Sequence, residues 1–189
     1  AMVALGIWTY PPDGVLARIG WIPIEEQAFF VVQTVLTGLL WGNIVGRIPA
    51  AAPRHRPVLR WGVTGLILAA AAFCGWRLYR GEILYMTAML VWFLPVLALQ
   101  VAFGLETILK HIRTVGVTVL ASTAYLSVLD RIAISAGSWS ITEATTVGVD
   151  IAGLPIEEII FFGLTNVIVM CGLLLYVAWY EWLFDLEEA

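Results

Sequence analysis

Five stretches of about 20 predominantly apolar residues fill most of this 189-residue chain, and nothing else in it restricts the fold as strongly. They run from about Ile24 to Ile44, Leu59 to Leu78, Ile83 to Phe103, Thr114 to Ala136 and Ile156 to about Tyr176. In a bilayer each backbone polar group must be satisfied within its own segment, so stretches of this kind are expected as helices. Composition agrees: 61% of residues are hydrophobic and 13% charged, against roughly 25% charged in ordinary soluble domains. The expected fold is an all-α polytopic membrane bundle with five transmembrane helices, residues 1–189 forming one membrane domain. Pro95 falls inside the third stretch, where it can kink a helix without ending it. Trp179, Tyr180 and Trp182 read as an interfacial aromatic cluster, and the acidic tail from Glu181 to Glu188 as a solvated end.

Several function classes drop out. Cys74 and Cys171 sit in apolar runs and read as buried small hydrophobes rather than a disulfide or a metal site. His55 and His111 lie beside arginines in basic loops, so no metal centre is expected. No Gly-x-Gly-x-x-Gly follows a strand-like segment. Neither a cofactor nor a nucleic-acid partner is expected; the expected surroundings are membrane lipid. Lys and Arg set the orientation. Arg47, Arg54, Arg56 and Arg60 lie between the first and second stretches, and Lys110 and Arg113 between the third and fourth. Arg18, Arg77, Arg80 and Arg131 lie on the opposite side. The positive-inside rule then places the first group, and the C-terminus, in the cytoplasm of a multi-pass cell-membrane protein.

The chain also repeats itself. Pro23-Ile24-Glu25-Glu26-Gln27-Ala28-Phe29-Phe30 matches Pro155-Ile156-Glu157-Glu158-Ile159-Ile160-Phe161-Phe162 at six of eight positions, at an offset of 132. Upstream, Gly6-Ile7-Trp8 resembles Gly137-Ser138-Trp139, and Gly20 and Gly153 each lie shortly before the motif proline. Downstream, Gln33-Thr34 aligns with Thr165-Asn166. Residues 1–56 and 114–189 thus read as two repeats, with the second and third helices over 57–113 between them. The motifs open the first and fifth helices, so both glutamate pairs are expected at one membrane face, in a parallel repeat. The second copy is preceded by the stretch ending at Asp130-Arg131; an equivalent before Trp8 is expected in a missing N-terminal segment or a partner subunit.

Proline and acids in a first turn make an ordinary helix start. Four carboxyls at a membrane edge, in a doubled motif, point further: such groups are expensive there and face interior cavities. Glu25 and Phe29, Glu26 and Phe30, Glu157 and Phe161, and Glu158 and Phe162 are each four residues apart, on shared helix faces. A carboxyl against phenyl rings in a low-dielectric site has its charged form disfavoured, which suits a general acid. Aromatic faces stabilise a nearby cation, and a second carboxylate can take a proton back. Glu25, Glu26, Glu157 and Glu158 are therefore the candidate catalytic residues for protonating an alkene drawn from the bilayer. Phe29, Phe30, Phe161 and Phe162 would stabilise the cation, joined by Trp8 and Trp139, for which the role of interfacial anchor is the more common one. Gln33, Thr34, Thr165 and Asn166 would give polar support, as would Asp130, which has an ion pair with Arg131 as its alternative role. Glu143 and Asp150 read as solvated, and Glu106 and Lys110 as a structural pair at a helix end.

Trp8-Thr9-Tyr10, upstream of a glycine and the Pro-Ile-Glu-Glu-x-x-Phe-Phe run that recurs about 130 residues later, resembles the lycopene cyclase domain family, the flavin-independent carotenoid cyclases of archaea, some bacteria and, as fusions, fungi. The resemblance spans nearly the whole chain. The second copy reads Trp139-Ser140-Ile141 and lacks the tyrosine. The resemblance implies that the linear ψ-ends of lycopene become β-ionone rings: a proton adds to the terminal double bond, the tertiary cation closes the ring, and a proton leaves. It also implies that two short chains can work together. The other readings are a cyclase or hydratase-like enzyme for another carotenoid of the C50 type, a proton-coupled transporter and a scaffold. Acids at helix starts rather than mid-span argue against the transporter.

Overall fold

A computed structural model describes residues 2–44, 56–82 and 84–187, and the side chains of 2–43, 56–82 and 84–181. Arg47, Arg54, His55, Ile83, the Trp182 side chain and the side chains of the acidic tail beyond Glu181 lie outside it. Five helices form: α1 (Ile24–Ile44), α2 (Pro57–Tyr79), α3 (Tyr85–Lys110), α4 (Ile112–Ser135) and α5 (Ile156–Glu187). Among the described residues, α2 to α5 are long and apolar enough to cross a membrane. The fifth, α1, has 21 residues, a rise of about 30 Å, but Glu25, Glu26, Gln27, Gln33 and Asn43 lower its apolarity. The architecture is the all-α bundle expected.

Helix ends follow local chemistry. Pro57 opens α2 at the first helical position, where its missing N–H is no loss. α2 closes through Gly81, whose φ of +82° allows Glu82 N–H to reach Arg77 O (3.1 Å) and Gly81 N–H to reach Leu78 O (2.9 Å). Pro95 sits in unbroken helix; the break in α3 falls instead at Gly104. A Cβ on Gly104 would lie 2.4 Å from Leu175 Cδ2, so glycine permits the close approach of α3 to α5. The helix resumes to Lys110, and His111 alone separates it from α4. Glu106 has partners beyond its own helix. It is buried, takes two hydrogen bonds from the Arg60 guanidinium (2.6 and 2.9 Å) and one from the Arg56 backbone N–H (2.8 Å), and so ties α3 to α2. The fork of a guanidinium matches a carboxylate well.

The repeat is structural as well as textual. Each copy runs strand, 3₁₀ turn, β-hairpin, helix. The first has β1 (Trp8–Thr9), a turn at Pro12–Gly14, β2 (Arg18–Ile19) paired with β3 (Ile22–Pro23), then α1; the second has β4 (Ser140–Ile141), a turn at Glu143–Thr145, β5 (Asp150–Ile151) paired with β6 (Leu154–Pro155), then α5. The turn before each copy matches too. Gly137, at φ +74°, closes α4 with bonds to Ile134 O and from Ser138 N–H to Ala133 O; Gly6, at φ +70°, makes the same pair of bonds to Val3 O and from Ile7 N–H to Met2 O. β1 pairs with β4 across the copies, Trp8 opposite Ile141 and Thr9 opposite Ser140. Here the copies are offset by 131, Gly6 to Gly137 and Trp8 to Trp139, so Thr9 faces its own counterpart and Trp8 that of Tyr10, which is the signature of a two-fold relation.

The helices assemble around α5, which packs on α1, α3 and α4; α2 lies outside on α3. Below the motifs, fully buried Thr37 donates to Asn166 Oδ1 (2.7 Å) and Asn166 Nδ2 donates to Thr123 Oγ1 (3.3 Å), joining α1, α5 and α4. Where lipid removes the hydrophobic drive between helices, such bonds and tight packing set their register. Asn166→Leu should therefore lower stability by about 1 kcal/mol, seen as a fall in the thermal midpoint in detergent; an unchanged melt would contradict this role.

Candidate active site

The two motif helices meet at their N-terminal ends through four phenyl rings. Phe29 lies 6.1 Å from Phe162 and Phe30 lies 6.0 Å from Phe161, centroid to centroid, with edge-to-face tilts of 66°. The neighbouring pairs Phe29–Phe30 and Phe161–Phe162 are 6.0 and 5.6 Å apart. Each ring faces the counterpart of its neighbour across the repeats, as a two-fold relation requires. Trp8 stands edge-on to Phe161 (5.3 Å), Trp139 (5.7 Å) and Tyr85 (5.9 Å). Tyr10 stacks on Trp139 at 6.1 Å.

Above this aromatic floor lies a cavity of about 360 Å³, reached by Glu26, Glu158, Asp130, Trp8, Tyr10 and Trp139 among others. The two glutamates of each motif part company there. The second ones face inward. Glu158 is 1% exposed and accepts the Trp8 indole N–H at 3.3 Å; Glu26 accepts the Tyr10 hydroxyl. Tyr10 lies in the loop before α1; burial first, and then the Glu26 carboxylate beside it, push its hydroxyl well above the ordinary range, so it stays a donor. Tyr85 is fully buried beside Glu158, its hydroxyl short of hydrogen-bond geometry.

The first glutamates hold loops. Glu25 accepts Leu16 N–H at 2.6 Å and Glu157 accepts Val147 N–H at 2.6 Å, each reaching back to the segment between its own 3₁₀ turn and hairpin. Glu25 still borders the cavity, whereas Glu157 does not line it. Adjacent helical positions point about 100° apart, so one carboxyl of each pair turns to the loop when the other turns to the cavity.

The remaining candidates divide as well. Phe29, Phe161 and Phe162 line the cavity; Phe30 backs it and lines a second cavity of about 260 Å³ with Trp92 and Phe93, which shares Trp8, Glu26 and Phe161 with the first. Asp130 faces the main cavity, and Arg131 turns away to the Ala152 carbonyl rather than pairing with it. Gln33 and Asn166 are fully buried deeper between the helices. Thr34 and Thr165 donate to the carbonyls of Phe30 and Phe161 in their own helices (2.9 and 2.8 Å) and do not reach the cavity. Aligning Gln33 with Thr165 and Thr34 with Asn166 hid this, because the inward polar position is one residue later in the second copy. Tyr10 and Tyr85 are the site residues that sequence reasoning left out. Tyr10 had a signal, since it lies two residues beyond Trp8 and so on the same side of an extended chain; Tyr85, at the start of α3, had none.

Among curated proteins the chain is similar to the lycopene beta-cyclase of Halobacterium salinarum, at 39% identity over 180 residues, covering 94% of this chain and 74% of that one. It is also similar to two bifunctional lycopene cyclase/phytoene synthases. That of Gibberella fujikuroi is 36% identical over 180 residues, covering 89% of this chain and 30% of the relative; that of Blakeslea trispora is 32% identical over 173 residues, covering 86% and 28%. No family model and no solved structure matches the chain. The loop-clamp geometry makes a direct prediction. Glu157→Ala removes a charged acceptor whose bond is worth about 1.5–3 kcal/mol, so amide exchange at Val147 should rise at least about tenfold, and unchanged protection would contradict the clamp.

Proposed function

The chain belongs to the lycopene cyclase family, and we propose that it closes the linear ψ-ends of lycopene into β-ionone rings by proton transfer in the cavity where its two repeats meet. The observation that carries this reading is the convergence of Glu26 and Glu158, one from each repeat, on a single aromatic-floored cavity. Glu158 donates a proton to the terminal double bond, breaking its O–H bond and forming a C–H bond. The tertiary cation is attacked by a second double bond of the chain, and a ring C–C bond forms. Glu26 then removes a ring proton, and the electrons of that C–H bond restore a double bond. The sum is an isomerisation, with one proton taken up, one released and no change of oxidation state.

Each glutamate accepts one donor, the Trp8 indole for Glu158 and the Tyr10 hydroxyl for Glu26. We assign the acid to Glu158 and the base to Glu26 because Glu158 is fully buried and Glu26 only partly, and burial disfavours the charged form. Phe29, Phe161, Phe162, Trp8 and Trp139 turn aromatic faces and edges to the cavity, where ring quadrupoles lower the energy of a passing cation. The second cavity, walled by Phe30, Trp92 and Phe93, offers the polyene an apolar way out to lipid. On this reading residues 1–56 and 114–189 are the two halves of one catalytic domain, with 57–113 its flank. Arg56, Arg60, Lys110 and Arg113 lie at the end away from the site, which supports a cytoplasmic C-terminus; a C-terminal reporter active in the periplasm would contradict that orientation.

Expression in cells that accumulate lycopene, with pigments separated by chromatography, tests the chemistry. Glu158→Gln and Glu26→Gln should each lower ring formation by about 10² or more while the protein still inserts, and full activity in both would sink the assignment. Glu157→Gln, which keeps an acceptor for Val147, should retain most activity.

A further inference from the structure

On the mechanism above, each turnover ends with the two carboxyls in exchanged states. Glu158 has lost a proton and Glu26 has gained one, so a second ring closure requires a proton to return from Glu26 to Glu158. Asp130, near the end of α4, is placed for this. It lines the same cavity as both glutamates and is 8% exposed. Its Oδ2 is buried and has no hydrogen-bond partner among the described residues, a costly state for a carboxyl. Trp139 lines the cavity with it, and Trp8, the counterpart of Trp139 in the other repeat, donates its indole N–H to Glu158. Arg131, the adjacent cation, is engaged by the Ala152 carbonyl and does not neutralise it.

We propose that Asp130 is the proton relay that resets the site between ring closures, its free Oδ2 taking the proton from Glu26 and giving it up to Glu158. The O–H bond of Glu26 breaks as one forms on Asp130; that bond then breaks as one forms on Glu158. No electrons are exchanged, and the three carboxyls regain their starting states. A site with an acid and a base alone would depend on bulk water for this return, yet the cavity is walled largely by aromatic and aliphatic side chains.

The inference rests on the cyclase reading and is tested separately from it. The intact protein in vesicles loaded with lycopene is assayed with protein in excess, for one turnover, and with substrate in excess. Asp130→Asn, which keeps the shape of the side chain, should close the first ring within about threefold of the wild-type rate. Its steady-state rate should fall at least about tenfold, leaving a burst of one ring per protein, and Asp130→Glu should restore turnover. Wild-type turnover in Asp130→Asn would overturn the relay, as would loss of its first turnover. If Asp130→Asn fails to insert, Asp130→Ser, read in the same way, decides. Two controls separate the ideas: a wild-type protein that closes no ring at all shows the cyclase reading to be wrong, whereas Glu158→Gln loses the first turnover if the acid assignment stands and keeps it if that assignment alone fails.

Discussion

Four phenyl rings, two from each motif, hold the site together. In a membrane two apolar helices gain little by leaving lipid for each other, so contact geometry decides whether they associate and in what register. Edge-to-face aromatic pairs, worth about 0.5–1.5 kcal/mol each beyond their buried area, supply that geometry where α1 meets α5. The rest follows from this join. It brings two helix starts to the same level, sets β1 beside β4, and turns one carboxyl from each helix toward a shared space.

The same join explains why adjacent glutamates differ. A helix start bordering both a loop and a cavity must satisfy both, and two consecutive carboxyls serve them in turn. Glu25 and Glu157 bind the backbone of the loops that wall the site; Glu26 and Glu158 take indole and phenol donors that face inward. The lone carboxyl of α4, Asp130, arrives from outside the motif and completes a set of three around one cavity. The symmetry is therefore incomplete where chemistry needs asymmetry: Tyr10 serves one glutamate, and its counterpart position in the second copy is an isoleucine-bearing strand end with no hydroxyl to offer.

Much of this was legible in the sequence because its signals are local or periodic. Apolar length marked the helices, and the repeat marked both copies, at an offset of 132 in the motifs and 131 at the turns of Gly6 and Gly137. Phe29, Phe161 and Phe162 border the cavity and Phe30 its neighbour, although Glu157, one turn before Phe161, turns to its loop. What could not be read is what depends on distant partners. Arg60 captures Glu106 from another helix, Tyr85 enters the site from the start of α3, and the break in α3 follows the close approach of Leu175 at Gly104 rather than the proline. Thr34 and Thr165 misled because a textual alignment of polar pairs ignores that helical positions one residue apart face different neighbours.

The central claim is that the two repeats build one acid–base site rather than two sites of one glutamate each. Ring formation in Glu26→Gln, Glu158→Gln and the double variant, measured together in lycopene-accumulating cells, tests it most directly. Groups that act as a unit are non-additive, so the account predicts that each single variant loses as much activity as the double. Singles that each keep about half of the activity, with only the double inactive, would contradict it.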